Sequence, residues 1–326
     1  MRAARSSPAF YAPVEPELDE LRQRLRDVGR GAHPTFSAAA SHLFGAPGKL
    51  LRPTLVFLSA RFGPGAGSRM IVDLAESLEL VHTASLVHDD IVDRADIRRN
   101  VPTVNAVWND DVALIVGDYL FAKAYALAAV LPKPEVIAMV AQTVFALCDG
   151  ELTEVAAPER MPSEAEYLER IELKTASLYA ACCQGAALLA DADPEHVAAL
   201  GAFGTNVGLA FQITDDVLDL VGEEDDLGKE VGRDLAEGMP TLPMIYAASK
   251  DGEARELAGR IVARDKGQAE MRALLGVIRG SGGIERARER ALGFHDAAVS
   301  ALSRLPAIPE REALRAIADF VVDRER

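Results

Sequence analysis

Two short acidic motifs define this sequence, one in residues 80–100 (LVHTASLVHDDIVDRADIRRN) and one in residues 211–219 (FQITDDVLD). In each, two adjacent aspartates precede a third: Asp89, Asp90 and Asp93 form the first aspartate motif, and Asp215, Asp216 and Asp219 form the second. On a helix the outer members of a motif are four residues apart and lie on one face, where like charges repel. A divalent cation relieves that repulsion, and Mg²⁺ often shares its coordination with substrate phosphates. One such motif is more often a solvated acidic face, but two in apolar helical contexts indicate the halves of a diphosphate clamp.

The sequence around these motifs is typical of helices. Apolar residues recur at helical spacing between Ile71 and Arg99, and a second long helix is predicted from about Glu195 to Val221. No alternation of apolar and polar residues is long enough for a sheet, and no repeat of fixed period occurs. We therefore expect one all-α domain over residues 1–326, with a loose N-terminal tail over about residues 1–15.

Composition restricts the possible partners and location. The formal net charge of -15, without a basic stripe, argues against a nucleic-acid partner. No run approaches the roughly eighteen uninterrupted apolar residues of a membrane span, so we expect no transmembrane segment and leave peripheral membrane contact open. The three cysteines, Cys148, Cys182 and Cys183, are an odd number without metal-ligand spacing. They are expected to be buried reduced thiols, which fits a cytoplasmic protein.

A diphosphate held by Mg²⁺ also needs cationic side chains to orient it. The segment GAPGKLLRP (residues 45–53) places Lys49 and Arg52 three residues apart, where one turn of a helix points both the same way. It is not a nucleotide-binding loop, because Leu50 follows the lysine where serine or threonine is required. The other candidates are Arg98 and Arg99 after the first motif, Lys174 and Thr175 at the start of an apolar helix, and Lys229 after the second motif.

Several segments occur together in an order that is typical of one family: GKLLRP, HDDIVD followed by RRNVPT, GDYLFA, KTASL, FQITDDVLD and GKEVGRD. From about Gly48 to Pro243 the sequence resembles the trans-polyprenyl diphosphate synthases, and the C-terminal LRAIADFVVDRER is similar to the end of that family. The resemblance implies an isoprenoid synthase fold, an all-α bundle around a deep central cavity. The two motifs would face each other across this cavity, where three Mg²⁺ ions per active site bridge them to a diphosphate. The resemblance also implies a homodimer.

Members of this family join isopentenyl diphosphate head-to-tail to an allylic diphosphate, in trans configuration, and release pyrophosphate. The resemblance implies that Asp89, Asp93 and Asp215 hold the metal ions, while Asp90, Asp216 and Asp219 contribute further contacts or ligation. The positions that match allylic diphosphate-binding residues are Arg98, Lys174, Thr175, Gln212 and Lys229. Those that match isopentenyl diphosphate-binding residues are Lys49, Arg52, His82 and Arg99.

Two features concern affinity and product length. Many relatives have a second lysine in a Glu-Gly-Lys-x-Thr segment where this chain has Met239, which implies weaker binding of the allylic diphosphate. Ala84 and Ser85 lie one turn before the first motif, and neither can block a growing chain. They predict a medium or long polyprenyl product, unless they only allow close helix packing. A deeper floor could come from one of four aromatic residues: Tyr119, Phe121, Tyr125 or Phe145.

Other functions remain open at this point. A geranylgeranyl or farnesyl diphosphate synthase shares the chemistry, and the small Ala84 and Ser85 argue against it. A class I terpene cyclase pairs the first motif with an Asn, Ser and Glu triad, where this chain has a second aspartate motif. A non-catalytic subunit of a heteromeric synthase predicts lost aspartates, and none is missing. A zinc site at His82 and His88 lacks a third ligand, and their spacing puts them on different helix faces.

Overall fold

The computed structural model describes residues 8–45, 48–98, 100–157, 159–222, 231–249, 254–263 and 266–323. After a 3-10 helix (Ala9–Val14) come α1 (Glu15–Arg26), α2 (Pro34–Gly45), α3 (Leu51–Ala60), α4 (Arg69–Val92), the antiparallel strands β1 (Ile97–Arg98) and β2 (Val101–Pro102), α5 (Val104–Val107), α6 (Asp110–Ala129) and α7 (Pro134–Val155). There follow α8 (Glu164–Ile171), a π-helical turn (Glu172–Ala176), α9 (Ser177–Leu189), α10 (Pro194–Val221), α11 (Arg233–Glu237), α12 (Leu242–Ala247), α13 (Ala254–Val262), α14 (Gln268–Gly280), α15 (Gly283–Leu302) and α16 (Pro309–Val322). Among the regular elements of these residues, the short hairpin is the only strand structure and the rest are helices, which confirms the all-α fold class.

The chain divides into two compact units. Unit 1 comprises Met1–Phe145, Leu178–Gly204 and Ala301–Ala316, and unit 2 comprises Ala146–Ser177, Thr205–Ser300 and Ile317–Arg326. In unit 1 the core includes Leu55 of α3 and Leu78 of α4, both fully buried. In unit 2 it includes Tyr167 of α8, Ile213 of α10 and Ile278 of α14. The single domain expected from the sequence stays a prediction.

Polar side chains cap the N-termini of α4, α6 and α8. Ser68 accepts a hydrogen bond from the backbone N–H two residues later (3.3 Å) at the start of α4. Asn109 accepts one from the N–H three residues later (2.8 Å) at the start of α6. Ser163 and Glu166 form a reciprocal capping box on α8. Each cap satisfies amides that have no partner in the first helical turn.

Small residues let α4 and α6 pack closely in unit 1. Ala84 has no exposed surface, and the buried Ser77 hydroxyl donates to the Ala124 carbonyl oxygen (2.8 Å). A methyl group at Gly117 would collide with the imidazole of His88. Ala84 therefore serves helix packing, which the sequence had left open as an alternative.

The N-terminal tail is shorter than expected. A 3-10 helix covers Ala9–Val14, with Phe10, Tyr11 and Val14 buried, and the Tyr11 hydroxyl donates to the backbone oxygen of Lys49 (2.7 Å). The prediction of a loose segment to about residue 15 is therefore wrong for residues 9–15. Burial of these three apolar side chains offsets the loss of chain entropy.

The cysteine prediction is confirmed at two of the three positions. Cys182 and Cys183 are buried, and all three thiols are free. Burial raises the pKa of the Cys183 thiol to about 12. Cys148 is exposed, so the expectation of burial is wrong there.

Three described helices are long and apolar enough to cross a membrane when judged by length and mean hydropathy: α6, α7 and α10. In α6 and α7, respectively, 33% and 28% of the most apolar window is buried, against 61% in α10. The expectation of no transmembrane segment was based on uninterrupted apolar runs, and it stays a prediction.

His295 joins α15 to α16 in unit 2. Its Nε2 lies 2.8 Å from Asp319 Oδ1, and its Nδ1 lies 3.0 Å from Asp296 Oδ1. Burial lowers the pKa of His295, but the hydrogen bonds and charges of Asp319 and Asp296 outweigh that effect and raise the pKa above its usual value. The protonated imidazole is therefore favoured in the folded state.

Replacing His295 by glutamine is expected to destabilise the protein more at acidic than at alkaline pH. A raised folded-state pKa contributes stability that is complete below the unfolded pKa of about 6.5 and is lost as the pH rises through the folded value. Thermal unfolding of both proteins at about pH 5.5 and about pH 8.5 checks this. An equal difference in melting temperature at the two pH values would contradict it.

Candidate active site

The first aspartate motif lies at the end of α4, and its carboxylates differ in exposure. Asp89 is half-buried and Asp93 is exposed, whereas only 5% of Asp90 is exposed. Asp93 follows the last helical residue, and its backbone N–H donates to the Asp89 carbonyl oxygen (2.8 Å). The outer carboxylates can therefore be reached from solvent, and the middle one is enclosed by protein.

An arginine of the hairpin neutralises Asp90. Arg98 on β1 donates its Nε–H to Asp90 Oδ1 at 2.6 Å. Arg98, a predicted ligand of the allylic diphosphate, is thus adjacent to the first motif, with its Nε committed to Asp90. Because a buried charge that loses its partner is costly, the pair fixes the hairpin against α4.

Arg52 and His82, two residues predicted to bind isopentenyl diphosphate, lie together in unit 1. Arg52 Nη1 lies 3.0 Å from His82 Nε2, and the Arg52 guanidinium is 4.7 Å from the centre of the Tyr179 ring. A guanidinium can only donate, so His82 Nε2 accepts and its proton is on Nδ1. The buried Nε of Arg52 has no hydrogen-bond partner. An anion that reached Arg52 would satisfy it.

Lys49 does not share a helical turn with Arg52, contrary to the sequence argument. Leu50 adopts a left-handed conformation (φ 48°, ψ 37°), and α3 begins only at Leu51. Lys49 is exposed and lies before the helix. The three-residue spacing therefore does not align the two cations, because the backbone reverses its twist between them.

A cavity of about 290 Å³ in unit 1 collects several of these residues. Its wall includes His82, Asp90 and Arg98. It also includes three basic residues that sequence reasoning missed: Arg22 and Arg26 of α1 and His42 of α2. No motif marks them, since the packing of α1 and α2 brings them to the cavity.

The second aspartate motif lies on α10 in unit 2, and its middle carboxylate is held on both sides. Asp216 is 5% exposed. The Tyr167 hydroxyl donates to Asp216 Oδ2 (2.6 Å), and Gln212 Nε2 donates to Asp216 Oδ1 (2.8 Å). Burial raises the pKa of Asp216 to about 7, although both hydrogen bonds oppose the rise. Asp215 is half-buried.

Asp219 is hydrogen-bonded to the N-terminus of the short helix α11. Its carboxylate accepts hydrogen bonds from the backbone N–H groups of Arg233 (3.2 Å) and Asp234 (3.3 Å), at the start of α11. Burial raises the pKa of Asp219, and these bonds oppose the rise. Burial, with the charges of Asp219 and Asp216, also raises the pKa of Asp234 well above its usual value. Asp234 therefore belongs with Asp216 and Asp219 to one group of interacting carboxyls. Its signal in the sequence was its position at the end of the segment GKEVGRD.

The predicted pair Lys174 and Thr175 lies in the π-helical turn between α8 and α9. Such turns are rare in proteins, and those that occur are often at functional sites. Gly150 of α7 packs against this turn, and a Cβ on Gly150 would lie 2.8 Å from the backbone nitrogen of Lys174. Because Gly150 has no side chain, α7 can pack directly against the backbone of this turn.

Both side chains of this pair have partners in unit 2. Lys174 Nζ lies 2.6 Å from Glu151 Oε2 and 2.7 Å from Glu154 Oε1. The Thr175 hydroxyl donates to Gln212 Oε1 (2.8 Å). Thr175, Gln212 and Asp216 are thus joined by hydrogen bonds, as residues of one site would be.

The residues predicted to control product length have different surroundings. Ser85 is half-buried, and its hydroxyl donates to the His82 carbonyl oxygen (2.9 Å). Of the aromatic alternatives, Tyr119 stacks on Phe36 with ring centres 4.0 Å apart, and Phe145 is largely exposed. Ser85, unlike Ala84, therefore has space beside it.

Three predicted positions need separate mention. Arg99 and Lys229 lie outside the described residues. Met239 lines a cavity of about 260 Å³ in unit 2, whose wall also includes Tyr167 and the buried Arg170.

The accessible donors of the two motifs are of the kind that suits Mg²⁺. Asp89, Asp93 and Asp215 are half-buried or exposed, and carboxylate oxygens are the hard ligands that Mg²⁺ prefers. In the ranges that the structure describes, no group of three or more His, Cys, Asp and Glu side chains is positioned to hold an ion. His82 contacts Arg52, and His88 Nε2 lies 3.1 Å from the Leu114 carbonyl oxygen. The two histidines thus have separate partners.

Known proteins resemble this chain over almost its whole length. The chain is 39% identical to heptaprenyl diphosphate synthase component 2 of Geobacillus stearothermophilus, over 97% of this chain and 98% of the relative. A polyprenyl synthase from Caulobacter crescentus, solved with calcium and isoprenyl diphosphate, matches with a TM-score of 0.91 and 34% identity, covering 99% of this chain and 100% of the other. A geranylgeranyl pyrophosphate synthetase from Pyrococcus horikoshii matches with a TM-score of 0.85 and 30% identity, covering 96% and 98%.

The sequence model of one family, polyprenyl synthetase, matches residues 33–278 and so includes both aspartate motifs. That match and the two fold matches confirm the resemblance seen in the ordered segments. The chain belongs to the polyprenyl synthetase family.

Proposed function

We propose that this chain elongates an allylic diphosphate with isopentenyl diphosphate, head-to-tail and in trans, to a medium or long polyprenyl diphosphate. The observation that carries the proposal is the shared design of the two motifs. Each encloses its middle aspartate, Asp90 or Asp216, through hydrogen bonds and leaves its first aspartate, Asp89 or Asp215, partly open. Such an arrangement is suited to binding metal ions with a diphosphate.

In the proposed reaction the C1–O bond of the allylic diphosphate breaks, and its electron pair leaves with pyrophosphate. The double bond of isopentenyl diphosphate attacks C1, and the new cation loses a proton to the released pyrophosphate. Mg²⁺ bound at Asp89, Asp93 and Asp215 would neutralise charge on the leaving group. Arg52 and His82 would hold isopentenyl diphosphate by direct contacts.

The medium or long product is supported by the heptaprenyl synthase relative and by the small residue at Ser85. A geranylgeranyl diphosphate synthase is the second candidate, and the similarity to the Pyrococcus horikoshii enzyme favours it. A non-catalytic subunit is disfavoured because all six motif aspartates are present.

Replacing Ser85 by phenylalanine is expected to shorten the product. Ser85 is half-buried, so an aromatic ring there can enter the space beside α4. Ala84→Phe is the matched control, because Ala84 has no exposed surface and overpacking there destabilises by about 1–3 kcal/mol. Mass analysis of dephosphorylated products and thermal unfolding separate the two effects. Unchanged products from a folded S85F protein would remove Ser85 from length control.

We also propose a homodimer. Unit 1 exposes large apolar side chains on α6 and α7, with Ile115 63% exposed and Phe145 71% exposed. Large apolar side chains with this exposure are expected where a partner covers them. The relative's name, component 2, makes a heteromer the alternative. Light scattering of the purified chain is expected to give twice the monomer mass, and Phe145→Glu to lower it. A monomeric wild-type chain would favour the heteromer.

A cytoplasmic location is part of the proposal, and three free thiols support it. Peripheral membrane contact would then serve release of a long apolar product.

The test uses the purified chain with Mg²⁺, isopentenyl diphosphate and, separately, dimethylallyl, geranyl, farnesyl or geranylgeranyl diphosphate. We expect products longer than geranylgeranyl diphosphate that disappear with EDTA. Products that stop at geranylgeranyl diphosphate would favour the second candidate. No elongation from any primer would overturn the proposal for the chain acting alone.

A further inference from the structure

We propose that Tyr167 is a positioning residue for the allylic diphosphate, acting through Asp216 to fix the orientation of the Gln212 amide. The inference rests on the proposed function, since it assigns a task to a residue outside both aspartate motifs. Tyr167 lies on α8, whereas Gln212 and Asp216 lie one turn apart on α10.

The directions of the hydrogen bonds are determined by chemistry. The Gln212 NH₂ can only donate, so it donates to Asp216 Oδ1 at 2.8 Å, and the Tyr167 hydroxyl donates to Asp216 Oδ2 at 2.6 Å. The Gln212 carbonyl oxygen is then turned toward Thr175, whose hydroxyl donates to it at 2.8 Å. The opposite amide orientation would place two acceptors against each other at Asp216.

Burial leaves water little access to substitute for these bonds. The exposed fractions are 1% for Tyr167, 5% for Asp216 and 8% for Thr175. Each Asp216 oxygen already accepts a hydrogen bond from a protein donor. Asp216 is therefore an anchor for neighbouring side chains in this structure.

The chain of bonds assigns different tasks to the two predicted diphosphate ligands. The single hydroxyl proton of Thr175 is donated to Gln212, so Thr175 holds the Gln212 side chain in place. The Gln212 NH₂ has two protons, and Asp216 accepts one of them, which leaves the second for a diphosphate oxygen. Without the Tyr167 hydroxyl, the Asp216 carboxylate can rotate, and the Gln212 amide loses its fixed orientation.

Tyr246 provides a matched control in the same unit. It is also buried, and interaction with the Glu164 carboxyl contributes, after burial, to raising the pKa of Tyr246 to about 12. Tyr246→Phe therefore removes a buried tyrosine hydroxyl next to a carboxylate, away from the second motif. A general effect on stability would appear in both variants.

The experiment measures binding of inorganic pyrophosphate with Mg²⁺ by calorimetry, together with steady-state kinetics, for wild type, Y167F, Y246F, Q212A and Y167F/Q212A. We expect Y167F to weaken pyrophosphate binding and raise the KM for the allylic diphosphate by about tenfold, the usual effect of losing a bond to a buried charge. The KM for isopentenyl diphosphate should stay unchanged, and Y246F should behave as wild type. Since Tyr167 acts through Gln212, the double variant should bind no more weakly than Q212A.

Wild-type binding by Y167F, equal losses for both substrates, or additive losses in the double variant would overturn the inference. Failure of the wild-type chain to elongate any primer tests the proposed function separately, because it involves no substitution.

Discussion

Asp89→Asn is expected to lower kcat by about a thousandfold or more while the free energy of unfolding changes by less than about 0.5 kcal/mol. Asp89 is half-buried at the end of α4, and its carboxylate is proposed to hold metal and not to pack in the core. The amide has nearly the same volume but no negative charge. Product formation at saturating substrates and chemical denaturation together measure both effects.

Asp90→Asn is the matched control for this prediction. Asp90 is buried and bonded by Arg98 at 2.6 Å, so its amide leaves a poorly paired cation and costs about 1–3 kcal/mol of stability. The two neighbouring aspartates thus differ in kind: one substitution acts mainly on catalysis and the other mainly on folding. Equal stability losses in the two variants would show that the division between open and enclosed carboxylates is mistaken.

Gly150→Ala is expected to destabilise the protein by about 1–3 kcal/mol and to reduce activity strongly. The new Cβ would lie 2.8 Å from the Lys174 backbone nitrogen and 3.0 Å from its Cα, so the π-helical turn would have to shift. That turn carries Lys174 and Thr175, both proposed to serve the allylic diphosphate. The KM for the allylic substrate should therefore rise together with the loss of stability.

Gly276→Ala on α14 and Gly259→Ala on α13 provide controls in the same unit. A Cβ at either position meets no atom within 4 Å. Because alanine favours helix over glycine by about 0.8–1.0 kcal/mol, both substitutions are expected to stabilise the protein and leave activity unchanged. Wild-type stability and activity in G150A would mean that α7 can move away from the turn at little cost.

The helices that carry the motifs could be predicted closely from local pattern. The sequence indicated helices over residues 71–99 and 195–221, and the structure has Arg69–Val92 and Pro194–Val221. The first helix ends earlier because Arg94 adopts a left-handed conformation (φ 51°) and the chain then forms the hairpin. Nothing in the apolar periodicity could indicate that reversal.

Roles within the motifs were less accessible to sequence reasoning. Six aspartates in two equal patterns look alike, yet Asp90 and Asp216 are enclosed and Asp89 and Asp215 are partly open. The difference depends on partners from other elements, such as Arg98 on β1. Sequence spacing gives the face of a helix and not what packs against it.

The sequence alone determined the family, the all-α class and the two acidic motifs, because these depend on residue order and on helical periodicity over a few turns. Tertiary structure alone decided two contacts. Tyr167 forms a hydrogen bond with Asp216, forty-nine positions away, and Gly150 of α7 packs against the backbone of Lys174. Such contacts arise when separate helices pack side chain against side chain. Their geometry depends on how α8 and the parts of α7 and α10 that belong to unit 2 pack together, which no local stretch of residues encodes by itself.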